Sequence, residues 1–553
     1  MVKKETKVPI AAVDIPQSSK PMHYDINAIW QNWYEFPRED DKYYEVYTYT
    51  DALSYSPGET VNFHTSSTAK IYSLEIEKDG AETVSIYKKK NLAGVFYKTP
   101  KDAYKNGCKW PITHSWKVPN DCKSGFYLVT SRCVKLDGSE FIQHHGFAVR
   151  PKKNGPRGNF LLILTTGTWT AYNDWGGANH YEGIDGHDNI DFSPTLSLER
   201  PWTRGMVWLP EGAPRIGTTP KPKKGEIPRY QNLEWAYAYS YGRYYAAAGW
   251  AQYERHFVVW AERQGYKFDI ITQTDLHYRP EILAEYKTAT IVGHDEYWSR
   301  GMRDNLDSWV EEGGKVARFG GNFCWQTRLV DEGKKQICYK YRAQDEDPVR
   351  DTDNAHLLTS AWEDQKVNYP GATTFGINGF RGVYVGLGGF SPRNSRGFTV
   401  YRPEHWIFDN TDLYYGDVFG SEAQIFAFEV DGLDYTFRHG LPYPTGEDGA
   451  PENVEILAMN VAAKEEVDHG NPGSIYYVLD GDLQFGTLAL EGKITPELID
   501  KNRYGSGMIV HMPKGEGEVV STSTCEWVMG LKHNDEFTVQ ITRNILDQFC
   551  LKE

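Results

Sequence analysis

Ala289-Thr-Ile-Val-Gly293, His294-Asp-Glu-Tyr-Trp-Ser299, a run on to Glu312, Gly313-Gly314 and then Lys315-Val-Ala-Arg-Phe-Gly320 form the stretch that decides the fold. Its first five residues carry no charge and end at a glycine, as a strand buried on both faces does. Between Ser299 and Glu312, Met302, Leu306, Trp309 and Val310 recur at helical spacing and define one apolar face. The double glycine stops that helix, and an apolar strand follows. A strand, a helix and a second strand in so short a stretch are a parallel crossover.

The same rhythm extends upstream. Phe160-Leu-Leu-Ile-Leu-Thr165 reads as a buried strand, and Trp250 to Arg263 as a helix with Phe257, Trp260 and Ala261 on one face and Gly265 as its stop. Phe268-Asp-Ile-Ile-Thr272 reads as the next strand. Residues 158–553 are therefore expected to form an α/β domain on a mostly parallel sheet, although beyond about residue 340 the pattern turns mixed and richer in strands and loops. From Tyr43 to Pro151 the period is two. Tyr44-Glu-Val-Tyr-Thr-Tyr49 alternates, Ser56-Pro-Gly-Glu59 turns, and Gly125-Phe-Tyr-Leu-Val-Thr130 and Glu140 to Val149 follow. This predicts an immunoglobulin-like β-sandwich over 41–151, with Lys88-Lys89-Lys90 in a solvated turn and Arg150 to Gly158 as a linker. Residues 1–40 are expected to be an arm packed on the body.

A chain of 553 residues is too long for one core. Its formal charge of −15 and the absence of long Lys/Arg runs argue against nucleic acid or an anionic membrane as partner. Val8 to Val13 is too brief for a secretory core, and no segment approaches the ~18 apolar residues of a membrane span. Seven cysteines without a Cys-x-x-Cys pair suit reduced thiols in a cytoplasm and argue against a thiolate zinc site.

In an open α/β sheet the productive crevice lies beyond the carboxyl ends of the strands. Three loops leave such ends here: Thr165 through Tyr172 and Asn173 to Gly183, Gly293 to Trp298, and Gly320 to Trp325. His294 is a proton carrier for neutral pH, Glu296 a base or cation ligand, and Asn322 a donor to a developing oxyanion. Gly320-Gly321 allow a ligand to approach the backbone closely. Each has a structural alternative. Asp295 and Ser299 suit a helix cap, Tyr172 and Tyr181 suit packing in a chain with 37 tyrosines, and Asn322 suits a turn. His144-His145 reads as structural, and Cys324 as a small buried hydrophobe.

Tyr47-Thr-Tyr-Thr-Asp-Ala-Leu-Ser-Tyr-Ser-Pro-Gly-Glu59, Gly107-Cys-Lys-Trp-Pro111, Thr168-Trp-Thr-Ala-Tyr-Asn-Asp-Trp-Gly-Gly177, Gly293-His-Asp-Glu-Tyr-Trp-Ser299 and Phe319-Gly-Gly-Asn322 resemble the large (beta) subunit of the N,N-dimethylformamidase family. That resemblance implies a glutamine-amidotransferase-like fold for the α/β domain. It also implies hydrolysis of a formamide bond at a single iron held by two tyrosines and one glutamate. Carried over, Glu296 and Tyr172 match two ligands, and Tyr181 the third, although its spacing from Tyr172 is shorter here. His294 matches the acid/base, Asn322 the active-site asparagine and Glu429, in Phe426-Ala-Phe-Glu-Val-Asp431, a further catalytic carboxylate. Three anionic oxygen donors suit Fe(III). Trp169, Trp175 and Trp298 are expected as walls for a small methylated amide, and a small partner subunit and oligomerisation are implied. Between the two expected domains the sequence leaves no room for the laminin-G-like module of some members. The competing readings are a metal-free amidase using Cys324, with His294 and Glu296, and a non-catalytic carbohydrate- or protein-binding module.

Overall fold

The computed structural model of the chain describes residues 35–40, 42–183, 192–467, 478 and 481–550. Most of the expected arm, Val8–Val13 included, lies outside them. Of residues 35–40, Glu35 is buried against Arg204 at 3.2 Å and Phe36 stacks on Trp175.

The first part of the chain forms two β-sheets. Val46–Thr50, Thr60–Ser67 and His114–Lys117 pair antiparallel in one. Ser54–Tyr55, Glu140–Val149, Gly125–Val134, Ile71–Asp79 and Val84–Ala93 lie in that order in the other. The alternation seen in the sequence sends Tyr47, Val61, Phe63, Leu74, Ile76, Val129 and Phe147 into one core. Lys88, Lys89 and Lys90 are not a turn. They lie in Val84–Ala93, the exposed edge strand, with Lys88 reaching Glu75 at 2.9 Å. By composition three lysines read as a turn, but charge on an edge strand is what discourages pairing with another chain. Burial pushes His144 and His145 down to about 3, so both rings are neutral, and His145 Nε2 lies 3.0 Å from Thr50 Oγ1.

Among the described residues, eleven strands form a further, central sheet. Phe268–Thr272, Phe160–Leu164, Thr288–His294, Lys315–Gly321 and Gly517–Ser521 are neighbours in that order and run parallel. The next strands, Tyr504–Lys514, Glu455–Ala463, Asn378–Val385 and Phe428–Gly432, all pair antiparallel. The expectation of a mostly parallel sheet is thus corrected: the sheet is mixed, parallel in one half only. The crossover rhythm ends with residues 160–320; beyond it Tyr504–Lys514 turns directly back into Gly517–Ser521, and the strands that add to it pair antiparallel. The helices fall where periodicity placed them. Glu254–Arg263 and Arg300–Glu311 cover the parallel half, the second capped by Ser299, whose hydroxyl accepts from Met302 N. Met302, Leu306 and Val310 are buried, each worth roughly 1.5–3 kcal/mol relative to exposure. Among the described residues no helix is long and apolar enough to cross a membrane.

Phe160–Leu164 is the first strand of the sheet, yet its neighbours are the second and third in chain order. The chain therefore reverses direction of growth beside it, and the ends of Phe160–Leu164 and Thr288–His294 border the crevice that such a switch opens. The two parts of the molecule are not loosely strung. Phe126 of the sandwich stacks on Trp250 at 4.3 Å, and Asp275 of the α/β part accepts from Ser54 and pairs with Arg150.

Gly293 and Gly321 are required by packing. Gly293 has φ 81°, and a Cβ there would lie 2.3 Å from Tyr253 Cβ. A Cβ on Gly321 would lie 2.6 Å from Cys525 N and 2.8 Å from the Glu429 carbonyl. The double glycine, expected to admit a ligand, instead admits neighbouring backbone. Gly293→Ala is expected to cost roughly 2–5 kcal/mol, the sum of a left-handed backbone and overpacking. A urea-unfolding midpoint equal to that of the unaltered chain would show that Tyr253 yields instead.

Candidate functional site

Three strand ends that carry chemistry are tied together by one buried cation. Arg318, fully buried on Lys315–Gly321, donates to both carboxylate oxygens of Asp295 at 2.8 and 2.6 Å and pairs with Asp431 at 2.9 Å. Asp295 separates His294 from Glu296, and Asp431 follows Glu429 by two residues. Asp431 also accepts from Phe323 N at 2.8 Å, beside Asn322. Asp295 is therefore not a helix cap; Ser299 alone takes that role.

Around this frame the side chains converge. Tyr181 donates its hydroxyl to Glu296, 2.7 Å from each carboxylate oxygen, and Tyr297 donates to the Tyr181 hydroxyl at 2.8 Å. Tyr172, the last residue of the helix Thr166–Tyr172, stacks on Tyr181 with ring centres 4.3 Å apart. The first expected loop is thus, in its opening part, a buried helix. Glu296 also accepts from Trp325 Nε1 at 2.6 Å. His294 donates through Nδ1 to the Ala247 carbonyl at 2.7 Å and presents Nε2 to Glu429 at 2.9 Å and to Glu296 at 3.3 Å. Asn322, held in the left-handed region at φ 65°, donates to the same Glu429 oxygen at 2.8 Å. Two donors, one amide and one imidazole, thereby share a single carboxylate oxygen. Among these residues all but Tyr181 are buried; Tyr181 is half-buried.

Burial shapes the charges. Burial lowers the basicity of His294, but Glu429 and Glu296 outweigh it and push the imidazole up to about 10. Burial pushes Glu429 up to about 7 against the pull of His294. Glu296 feels the same burial, yet His294, Lys340 and Tyr181 hold it below the usual carboxylate range. Burial and the nearby Glu296 push the Tyr172 and Tyr181 phenols well above 10. Lys340 is buried with Nζ 3.4 Å from the centre of the Tyr181 ring, a cation–π contact in a desolvated setting. A second donor set also meets here: His294, Glu429 and Cys525 bring ligand atoms within 4.8 Å of one another.

Residues 68–538 match the family model described as N,N-dimethylformamidase beta subunit-like, C-terminal. The chain belongs to that family. It is 22% identical over 488 residues to the N,N-dimethylformamidase beta subunits of Alcaligenes sp. and of Paracoccus aminophilus, covering 81% of this chain and 55% of each relative. The chain thus spans about half the length of the curated relatives it matches. Among solved structures, the sporulation control protein Spo0M of Bacillus subtilis matches 19% of this chain and 49% of its own, at 15% identity and a TM-score of 0.15, too slight a likeness to bear on the fold.

For this member of the dimethylformamidase family, all six residues proposed from the sequence, Tyr172, Tyr181, His294, Glu296, Asn322 and Glu429, stand in one cluster. The expected tryptophan walls do not. Trp175 packs with Tyr47 and Trp110 of the sandwich, Trp169 with Phe126 and Trp202, and Trp298 with Phe323 and Phe375. Their size drives them into cores, and the aromatic neighbours of the site are Tyr244, Tyr297, Trp325 and Phe428 instead. Tyr297 lies in a quoted motif and Trp325 closes the third strand-end loop, but nothing in their spacing marks them as hydrogen-bonding to the site. Lys340 lay outside every motif, and only folding brings it over Tyr181.

Cys324 donates to Asn322 Oδ1 at 2.7 Å, and burial pushes its thiol well above the usual range. A nucleophilic cysteine needs the opposite. In the native chain iodoacetamide is expected to modify at most Cys122 and Cys550, the two cysteines that are not fully buried, with all seven reacting after unfolding. Rapid native labelling of Cys324, read by peptide mass spectrometry, would revive the cysteine mechanism. Arg318→Met leaves Asp295 and Asp431 as buried unpaired carboxylates and is expected to lower stability by about 3–5 kcal/mol. The check is again the urea midpoint.

Proposed function

We propose that this chain is an amidohydrolase that cleaves the C–N bond of small N-substituted amides, N,N-dimethylformamide among them, to an amine and a carboxylate. The observation that carries the proposal is the buried cluster in which Tyr181 and His294 both reach Glu296 while Asn322 and His294 both reach Glu429. Family membership supports the reaction class, and the relatives' names supply the substrate. Their designation as beta subunits supports a small partner subunit and an oligomer. Free cysteines throughout suit a cytoplasmic setting.

The cofactor proposed is a single iron, as Fe(III), held by Tyr172, Tyr181 and Glu296. The donor set fits it. Two phenols and a carboxylate are hard oxygen ligands, and they already touch one another through shared phenolic protons that a highly charged cation would replace. Bound there, iron would act as a Lewis acid on the amide carbonyl and lower the pKa of water.

The chain's own groups complete the reaction. Glu429, pushed up to about 7, takes the proton of the attacking water, while His294, held protonated by Glu429 and Glu296, gives its own to the amide nitrogen, which otherwise leaves as a poor amine anion; the proton on Glu429 then restores His294. Asn322 Nδ2 donates to the oxygen that gains charge. Tyr297 orients the Tyr181 hydroxyl, and Trp325 orients the Glu296 carboxylate.

Protein purified without added metal is expected to hold near-stoichiometric iron, lost in Glu296→Ala and kept in Cys525→Ser. Dimethylamine release from dimethylformamide should disappear with the iron. Folded protein that holds no iron after growth in iron-rich medium would remove the metal from the proposal. Iron lost in Cys525→Ser but kept in Glu296→Ala would move it to the His294–Glu429–Cys525 set.

A further inference from the structure

A second group of metal-ligating side chains lies at the opposite end of the central sheet. His511 projects from Tyr504–Lys514, and Glu455 stands directly opposite it in register on Glu455–Ala463, so both side chains leave the same face. His405, which precedes the short helical turn Trp406–Phe408, brings its ring over that face. His405 Nε2 and His511 Nδ1 are 3.1 Å apart, and a Glu455 oxygen lies 3.8 Å from the first and 3.7 Å from the second. A point equidistant from these three atoms is about 2.1 Å from each, which is the bond length zinc makes to imidazole nitrogen and carboxylate oxygen.

We propose that His405, His511 and Glu455 bind a divalent transition-metal ion of the zinc class, as a structural clip separate from the candidate catalytic site.

The surrounding groups prepare the ligands. His511 directs Nε2 to Glu518 at 2.9 Å, which fixes the proton there and leaves the Nδ1 lone pair facing His405. Glu518 is in turn held by Lys315 at 2.8 Å. A carboxylate behind a ligating histidine is the usual outer support of such sites. Arg402 lies nearby, but its guanidinium is committed to the Ile456 and Pro442 carbonyls. In the metal-free chain His405 Nδ1 accepts from Ile407 N across a long 3.4 Å, so Nε2 carries the proton shared with His511. An ion replaces that shared proton, which moves to Nδ1 at the expense of the long contact.

Glu455 is half-exposed while both rings are nearly buried, so an ion has a solvent path and water an open coordination position. Lys315 stands at the start of the strand whose far end leads into Asn322, roughly 23 Å away at 3.3 Å per residue. The clip would join three elements. Trp406, next to His405, packs on both His511 and Phe549 of the C-terminal helix Glu536–Cys550.

The test is equilibrium dialysis of the full chain, stripped with chelator, against Zn²⁺. It compares the unaltered protein with His405→Gln, His511→Gln, Glu455→Gln, Glu518→Gln and Glu296→Ala. One zinc equivalent is expected to disappear in both histidine variants and to persist in Glu296→Ala. Glu518→Gln should bind about tenfold more weakly, as loss of an outer carboxylate does. Zinc should raise the melting temperature of Glu296→Ala but not of His511→Gln. Uptake equal in the unaltered chain and the histidine variants, or uptake abolished by Glu296→Ala alone, would overturn the site. Should the histidine variants not fold, the exposed Glu455→Gln decides: weaker zinc binding supports the site, and unchanged binding removes it.

Discussion

Arg318 is the residue on which the arrangement of the site depends. Its guanidinium is out of reach of water and is satisfied by Asp295 and Asp431 together with Ser521. Two carboxylates around one buried cation leave little freedom, because moving either one uncovers charge in a medium that cannot solvate it. Burial pushes Asp431 up to about 6 even with Arg318 beside it, which measures how strongly the setting resists charge. The consequence is positional. Fixing Asp295 fixes His294 and Glu296 on either side of it, and fixing Asp431 fixes Glu429 and, through Phe323 N, the turn that carries Asn322.

Most groups of the candidate site thus stand in or directly beside regular elements. His294 ends one parallel strand, and Asn322 follows its neighbour. Glu429 arrives from the antiparallel half of the same sheet, where Asn378–Val385 and Phe428–Gly432 fold back past the Gly321 backbone. The mixed sheet matters for this reason. A wholly parallel sheet would bring only carboxyl ends of strands to the crevice, whereas the antiparallel half delivers Glu429 from the start of a strand. The glycines at 293 and 321 allow the backbones to close on each other, and the positive φ of Asn322 turns its amide toward Glu429.

The charge inventory of the cluster is balanced without solvent. Glu296 and Glu429 face His294 and Lys340, and the phenols of Tyr172, Tyr181 and Tyr297 fill the remaining space with groups that hydrogen-bond but stay neutral when no cation is present. Such a site strengthens every electrostatic interaction inside it. It is also intolerant of partial dismantling, since each removed partner leaves a buried polar group behind.

Local sequence was enough for the sandwich, the crossover helices and the residues of the site that sit in strand-end motifs, because period and glycine punctuation are written along the chain. The family motifs added Tyr172, Tyr181 and Glu429. What the sequence by itself determined is therefore which elements form and which polar and titratable side chains stand near their ends. Only the tertiary structure decided that Asp295 serves Arg318 rather than a helix, that Trp169, Trp175 and Trp298 belong to cores, that half the sheet is antiparallel, and that Lys340 covers Tyr181. Each of these depends on contacts between residues distant in the chain, and the free energy of burying charge or aromatic surface depends on the neighbours that folding supplies, which no local pattern encodes.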